Sequence, residues 1–405
     1  RPMRLGTVVF LLLSGCGVLG PAQLRQSRLR YNETVKTTSE QEMLLNIVRL
    51  RYADTPSSLA ISNIAAQFEL AASLGATPFF AAGAERGFNT VLPQAGIGGS
   101  DRPTFTLTPL DDSDFARRLF TPISLEGVVY LAKTTWPIQT VFRLYLENLN
   151  WVPNAQTASG PTPAEAPPES DFLEGMRALQ TLQSRGDIVF GTEQQPKLVG
   201  AVVSAVTSES AVSAAQQGFE FVAASGKSSG WQLQKLERAF VMHVNPKALE
   251  SAEMKTLRRV FKLKEGTARF DLSVESLPPF SESSGFTQLD LETRSLLQAL
   301  YFVAHGVDVP EEHFERGLAR RTVRADGKAY DWPAQLRGLF QVKSRPGDCE
   351  DDAHVAVPYD GWCFFIEAAD FDSKATFALL MELSRLEVPN SSKQAPLLTI
   401  PLGGN

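Results

Sequence analysis

Hydrophobic and polar positions along the chain alternate between two periods, and the switches between them mark the elements. Leu44, Ile47, Val48 and Arg51 recur at helical spacing behind Ser39 and Glu42, an S-x-x-E capping box, so a helix is expected over 40–51 with Thr55-Pro56 as its stop. The pattern then shifts to alternation, with Ile64, Ala66, Phe68 and Leu70 on one side of a strand over 59–70. Six glycines between 75 and 101 read as a long flexible excursion. Thr104 to Thr108 returns to a strand, Thr alternating with apolar residues. Three short helices come next in the expectation: 111–120, a second capped by Ser124 and running to Thr134, and a third opened by Trp136-Pro137 with Ile138, Val141, Phe142 and Tyr145 inward.

Residues 153–169, rich in Pro, Ala, Ser and Thr and without periodicity, read as a linker or surface insertion. Beyond them Ser170 caps a helix ending at Gly186, followed by strands at 187–190 and 240–244, a helix over 248–262 and a strand at 268–274. A long helix is expected from Asp290 to Ala304, and Pro310 starts another. The C-terminal part alternates again, with strands at 339–342, 354–357 and 362–366, a helix from Asp372 or Ser373 to Glu387, and a closing strand at 397–400. Tyr359-Asp360-Gly361 supplies a hairpin turn. Strands and helices without regular β-α-β alternation predict an α+β fold of short helices and mostly antiparallel strands, arranged as two packed subdomains over 39–152 and 170–405.

The N-terminus has a different character. Arg1 and Arg4 precede the apolar run Val8 to Leu13, and Ser14, Gly15 and Cys16 come after it. The run is too short for a bilayer core of about 30 Å, which takes about 20 helical residues. Leu13-Ser14-Gly15-Cys16 resembles the lipobox of bacterial lipoproteins, in which cleavage precedes the cysteine and its sulfur receives a diacylglycerol. The resemblance implies a signal peptide over 1–15, lipidation at Cys16 and a lipidated tether over 16–38. Gly17, where an aspartate would suggest inner-membrane retention, implies the periplasmic face of the outer membrane.

Composition narrows the chemistry. The 405 residues carry a net charge of −6, and removal of 1–15 would leave 37 basic against 45 acidic residues, which argues against a nucleic-acid partner. Four histidines leave little for a multi-histidine metal cage, and nothing requires a cofactor. Asp348, Glu350, Asp351 and Asp352 make an acidic cluster without a calcium-loop pattern, so a solvated loop is expected. His305 and His313 with Glu311 and Glu312 surround a helix start, but Gly306 and Pro310 break any metal-ligand spacing. The five scattered tryptophans read as core or interface anchors.

Gly226-Lys227-Ser228-Ser229-Gly230 satisfies G-x-S-x-G, the nucleophile elbow of hydrolases. That elbow needs a strand before the serine and a helix after it, with a histidine such as His243 or His354 alongside; here the residues beyond Gly230 read at least as well as strand. Cys349 and Cys363 would pair readily in an oxidising periplasm. The expected strands oppose the bond, placing the two at opposite ends of one strand, roughly 15 Å apart against a limit of about 7 Å. The pairing stays open.

As a set, Tyr31-Asn32-Glu33, the stretch Glu42 to Pro56 (E-M-L-L-N-I-V-R-L-R-Y-A-D-T-P), Arg102-Pro103-Thr104, Phe115 to Leu119, Trp136-Pro137, Trp362 to Ile366 and Asp372 to Leu380 are similar to a family of uncharacterised bacterial lipoproteins. The resemblance spans most of the chain and brings no catalytic residue. Two classes of function remain. One is a non-enzymatic envelope scaffold, assembly factor or export-machinery component, held to lipid through acylated Cys16 and bound to other envelope proteins or to itself, with Arg49, Arg51, Arg117 and Arg118 available for interface ion pairs. The other is an envelope serine hydrolase using Ser228.

Overall fold

A computed structural model describes residues 16–56, 59–79, 90–109, 119–134, 136–224, 230–274, 285–350 and 352–387. The expected signal peptide, residues 111–118 of the helix expected over 111–120, Ser228 and the closing strand at 397–400 lie outside them. The protein is α+β, its sheets mostly antiparallel.

In chain order, helix α1 (Cys16–Arg51) leads into strands β1 (Leu59–Phe79) and β2 (Thr90–Pro109), then α2 (Leu125–Lys133) and α3 (Ile138–Tyr145). Strands β3 (Leu146–Leu149) and β4 (Val152–Pro153) precede α4 (Phe172–Ser184), β5 (Ile188–Val203), α5 (Ser208–Gln216), β6 (Phe219–Ala223) and β7 (Trp231–Val244). Helix α6 (Ala252–Phe261), β8 (Arg269–Ser273), β9 (Gln288–Thr293) and α7 (Leu296–Ala304) come next. The chain then forms α8 (Glu311–Glu315), α9 (Trp332–Leu336), β10 (Lys343–Pro346), β11 (Ala353–Tyr359), β12 (Trp362–Glu367) and α10 (Phe371–Glu387).

Two compact units result. In the first, β1 and β2 form a two-stranded antiparallel ribbon in one register from Asn63↔Thr106 to Phe79↔Thr90. The expected excursion over 75–101 is therefore mostly paired strand, since small residues opposite one another do not hinder a ladder whose donors and acceptors are all backbone. The second unit, 36–56 with 116–387, holds a seven-stranded sheet ordered β4-β3-β9-β8-β7-β5, with β6 also on β7, and a three-stranded sheet β10-β12-β11. Strand β7 has three partners: β5 lies along one edge, while the other edge takes β8 at 240–243 and β6 at 231–235, leaving 236–239 between them. Only β8 and β9 run parallel among the described ladders.

Several boundaries move, each for a physical reason. Helix α1 runs unbroken through 16–38 and past Ser39, so that residue caps nothing and the expected tether is helical. Residues 290–293 are strand, not helix: Leu289 and Leu291 are buried in the sheet, and the capping box that starts α7 is Ser295 with Gln298. Residues 153–169 are no boundary between units. Asn154, Ala155 and Ala158 are buried, and Ala166 and Val323 bond through their backbones to the segment opposite.

The core forms where α3, α4, α6 and α7 cover the sheet. Gly175 lets α4 approach α6, because a Cβ there would meet the Phe261 ring at 2.5 Å. At its centre Arg294, fully buried, closes the C-terminus of α3. Its Nη1 donates to the carbonyls of Arg143 (3.1 Å), Leu144 (3.3 Å) and Leu146 (2.6 Å), Nη2 to that of Asn154 (2.5 Å), and Nε to Ser159 Oγ (2.9 Å). The guanidinium lies 4.0 Å over the Phe302 ring. Burial lowers its pKa to about 9, so it stays charged at neutral pH, neutralising the negative end of the helix in place of a carboxylate. Asn154 bonds the Arg143 and Leu146 carbonyls from the other side, 2.8 Å each.

Nearby, His305 is buried against the Trp332 ring (4.2 Å) with Nδ1 2.7 Å from the Tyr301 carbonyl. Burial pushes its pKa down to about 4 from an ordinary 6.5.

Unfolding measurements check both groups. Arg294→Met strips donors from four buried carbonyls and the half-buried Ser159 hydroxyl and should cost at least about 3 kcal/mol in urea unfolding, with Arg294→Lys recovering little because one ammonium cannot span them. His305 binds its proton less tightly folded than unfolded, so its contribution is full above pH 6.5 and is lost as pH falls to 4. The loss should reach about 3 kcal/mol, and His305→Phe should flatten that part of the profile.

Candidate functional site

The residues expected to act together are dispersed. Gly230 immediately precedes β7 and Ala223 ends β6, with Ala223 paired to Trp231, so the G-x-S-x-G segment joins two strands of a hairpin. A nucleophile elbow needs a helix after its serine, and this hairpin supplies a strand. His243 stands near the far end of β7, twelve residues or about 40 Å along the strand from Trp231. It bonds Glu193 at 2.7 Å, while His354 belongs to the other sheet beside Phe377.

Cys349 and Cys363 are joined by a disulfide, their Cα atoms 5.1 Å apart. The expected 15 Å separation fails because the strand before Cys349 is 343–346 rather than 339–342. Strand β10 lies antiparallel to β12 with Arg345 opposite Cys363, which delivers Cys349 to that cysteine just beyond the ladder's end. Two members of the adjacent acidic cluster are paired: Arg345 grips Asp352 with both Nη atoms (3.0 and 2.8 Å) and lies 3.6 Å from Glu350. Arg345 in turn holds the Asp352 carboxyl below its usual range. Among the described residues no three His, Cys, Asp or Glu side chains gather as a metal site.

His313 serves a separate clasp from His305. Fully buried, it shares a 2.6 Å hydrogen bond between Nδ1 and the Tyr52 hydroxyl. Its Nε2 lies 3.5 Å from Asp360, too long for a hydrogen bond but close enough for charge to matter. Burial raises the Tyr52 phenol well above its ordinary pKa, so the phenol keeps its proton at neutral pH. Tyr359, Phe364 and Trp362 enclose the pair, and Tyr359 bonds Asp54 at 3.4 Å. The stretch over 42–56 thus meets the one over 362–366. With no free ring nitrogen open to water, the cluster fastens α1 to the C-terminal sheet. Arg51 is likewise buried, on Thr162 Oγ1 (3.0 Å) and the Arg320 carbonyl (3.2 Å), and is no interface charge; Arg117 and Arg118 lie outside the described residues.

A different place gathers unspent charge. A cavity of about 270 Å³ is lined by Gln139 and Arg143 of α3, Leu173 and Arg177 of α4, Ala334 of α9 and Arg337 just beyond it. Arg143 is 4% exposed, donates Nη2 to the carbonyls of Gln335 (3.0 Å) and Arg337 (3.1 Å), and leaves a buried Nε without a partner. Burial first, then the Arg177 charge, lower its pKa to about 10, so it remains a cation at neutral pH, with Asp372 acting in the opposite direction. Arg177 and Arg337 are exposed and form no ion pair among the described residues. Three guanidiniums from three elements around one cavity, with no acid in its lining, attract an oxyanion or carboxylate. No sequence signal marked this site, because its arginines lie 34 and 160 residues apart and converge only through tertiary packing.

No protein-family model, curated protein or solved structure matches the chain. No described helix is long and apolar enough to cross a membrane.

The pocket has a direct check with inorganic phosphate as probe. At about ten times its dissociation constant it should raise wild-type unfolding free energy by about 1.4 kcal/mol, and Arg177→Glu with Arg337→Glu should abolish the gain. Equal stabilisation of the double variant would rule the site out.

Proposed function

We propose that the protein is a lipid-anchored lipoprotein of the bacterial outer membrane, facing the periplasm, and that it acts without catalysis as a scaffold, assembly or export-machinery component. The observation that carries the reading is Leu13-Ser14-Gly15-Cys16 behind a short apolar run and two arginines. The resemblance of the stretch from Glu42 to Pro56 and of the C-terminal segments to bacterial lipoproteins supports the same placement. Durable attachment needs more than one acyl chain, and the diacylglycerol on the Cys16 sulfur brings two.

The scaffold role is supported by an arm with no core of its own. Beyond Phe190 on β5 and before Val241 on β7, no residue of those strands is buried, and none of β6 or α5 is. Leu198, Val199, Val202, Val203, Trp231 and Leu236 are exposed there, an apolar surface suited to another envelope protein. The arginine pocket would add a contact for a carboxylate or other oxyanion.

Cys16→Ser provides the test. Radiolabelled palmitate should be incorporated by the wild type in bacterial cells and not by the variant, and the variant should leave the membrane fraction. A wild-type chain that takes no label, or membrane association unchanged by Cys16→Ser, would refute the anchor.

A further inference from the structure

The ribbon of β1 and β2 has a pattern that a water-exposed hairpin does not need. Successive strand residues alternate between faces, and directly paired residues share one. On one face Leu70, Ala72, Leu74 and Ala76 lie opposite Gly99, Ile97, Ala95 and Pro93. On the other, Ser73 and Gly75 lie opposite Gly96 and Gln94, with Leu92 and Phe79 as apolar exceptions near the closed end. No charged residue occurs in 70–79 or 90–99, ten residues on each strand. Charges bound this stretch at both ends, Glu69, Asp101 and Arg102 at one and Glu85 and Arg86 in the connection at the other.

We infer that this part of the ribbon crosses the outer membrane as one hairpin of a β-barrel built from several copies of this chain. The inference rests on the proposal that the chain is an anchored envelope protein. A tilted strand needs about 9–11 residues to cross the hydrocarbon layer, with lipid-facing apolar positions alternating with lumen-facing polar or small ones. The uncharged stretch has that length and that alternation. A lone hairpin cannot remain there, because its outer edges carry unpaired backbone groups that lipid does not satisfy. Identical ribbons from neighbouring copies close those edges, and about eight strands, hence about four copies, make the smallest barrel. Pro78 and Pro93 lack N–H groups, so each removes one donor from the ladders of such a barrel. The remaining half of the ribbon, 59–69 and 100–109, carries the charges and stands in water as a neck.

Single added cysteines test this in the full chain. With Cys16 acylated and Cys349 bonded to Cys363, an introduced thiol is the reactive one. In outer-membrane vesicles a membrane-impermeant maleimide should label Ser73→Cys and Gly75→Cys readily. Leu70→Cys and Leu74→Cys should react at least about tenfold more slowly until detergent dissolves the lipid. The unsubstituted protein, run unheated in SDS, should migrate as an oligomer of at least four copies. Equal labelling of all four variants in vesicles would overturn membrane insertion. Protection that persists in detergent would point instead to a covering protein partner and would also overturn it. A monomer in the unheated sample would overturn assembly from copies of this chain. Palmitate labelling of the same vesicles separates this inference from the anchor: a lipidated chain with equal labelling keeps the anchor and loses the barrel, whereas face-dependent labelling without palmitate does the reverse.

Discussion

A charged guanidinium without a carboxylate organises the second unit. Arg294 sits between β9 and α7, and its planar fork gathers carbonyls from the end of α3, from Leu146 of β3 and from Asn154, with Ser159 as the fifth acceptor. Those groups are the ones a helix terminus leaves unpaired, and burial makes each costly unless it is met. The sheet, the segment over 153–159 and the helix layer therefore share one polar centre. Their relative positions are constrained by hydrogen-bond geometry as well as by apolar packing. Arg51 and Arg143 repeat the device at smaller scale, each buried on backbone or hydroxyl oxygens rather than on acids. The pocket beside Arg143 is a product of it. An arginine committed through one terminal nitrogen to the end of α9 holds that end against α3 and leaves its own Nε unmatched.

Local patterns were legible where a single element decided them. Ser124 caps α2, Trp136-Pro137 opens α3, and the turn at Asp360-Gly361 joins β11 to β12, all from residues adjacent in sequence. The misread places are those that long-range partners decide. Residues 290–293 carry a helix-compatible pattern, but Leu291 pairs with Leu149 and Leu289 with Leu272, and the sheet outweighs local propensity. The missing β10 hid the cysteine pair, because one strand displaced by four residues changes which neighbour Cys363 meets. Glycine in 75–101 signalled flexibility, yet opposite small residues form a regular ladder. The candidate pocket was invisible for the same reason as the disulfide: arginine spacing carries no information until α3, α4 and α9 are packed together.

The disulfide and the Tyr52–His313 clasp act on neighbouring parts of the same sheet. One ties the end of β10 to β12; the other ties β12 and the turn before it to the end of α1. The sheet is thus held covalently on one side and through a buried polar contact on the other, so changes at either should reach the other through β12.

Strand β7 runs from the exposed arm into the core without a break, and its edge at 236–239 lies between β6 and β8. In mechanical terms the arm is a lever. A pull along its axis reaches the core as shear on the β5–β7 ladder, where many hydrogen bonds share the load at once. A pull across the sheet peels β6 one bond at a time and leaves the core unloaded. Whatever engages the arm would therefore be held firmly along one direction and released easily along the other.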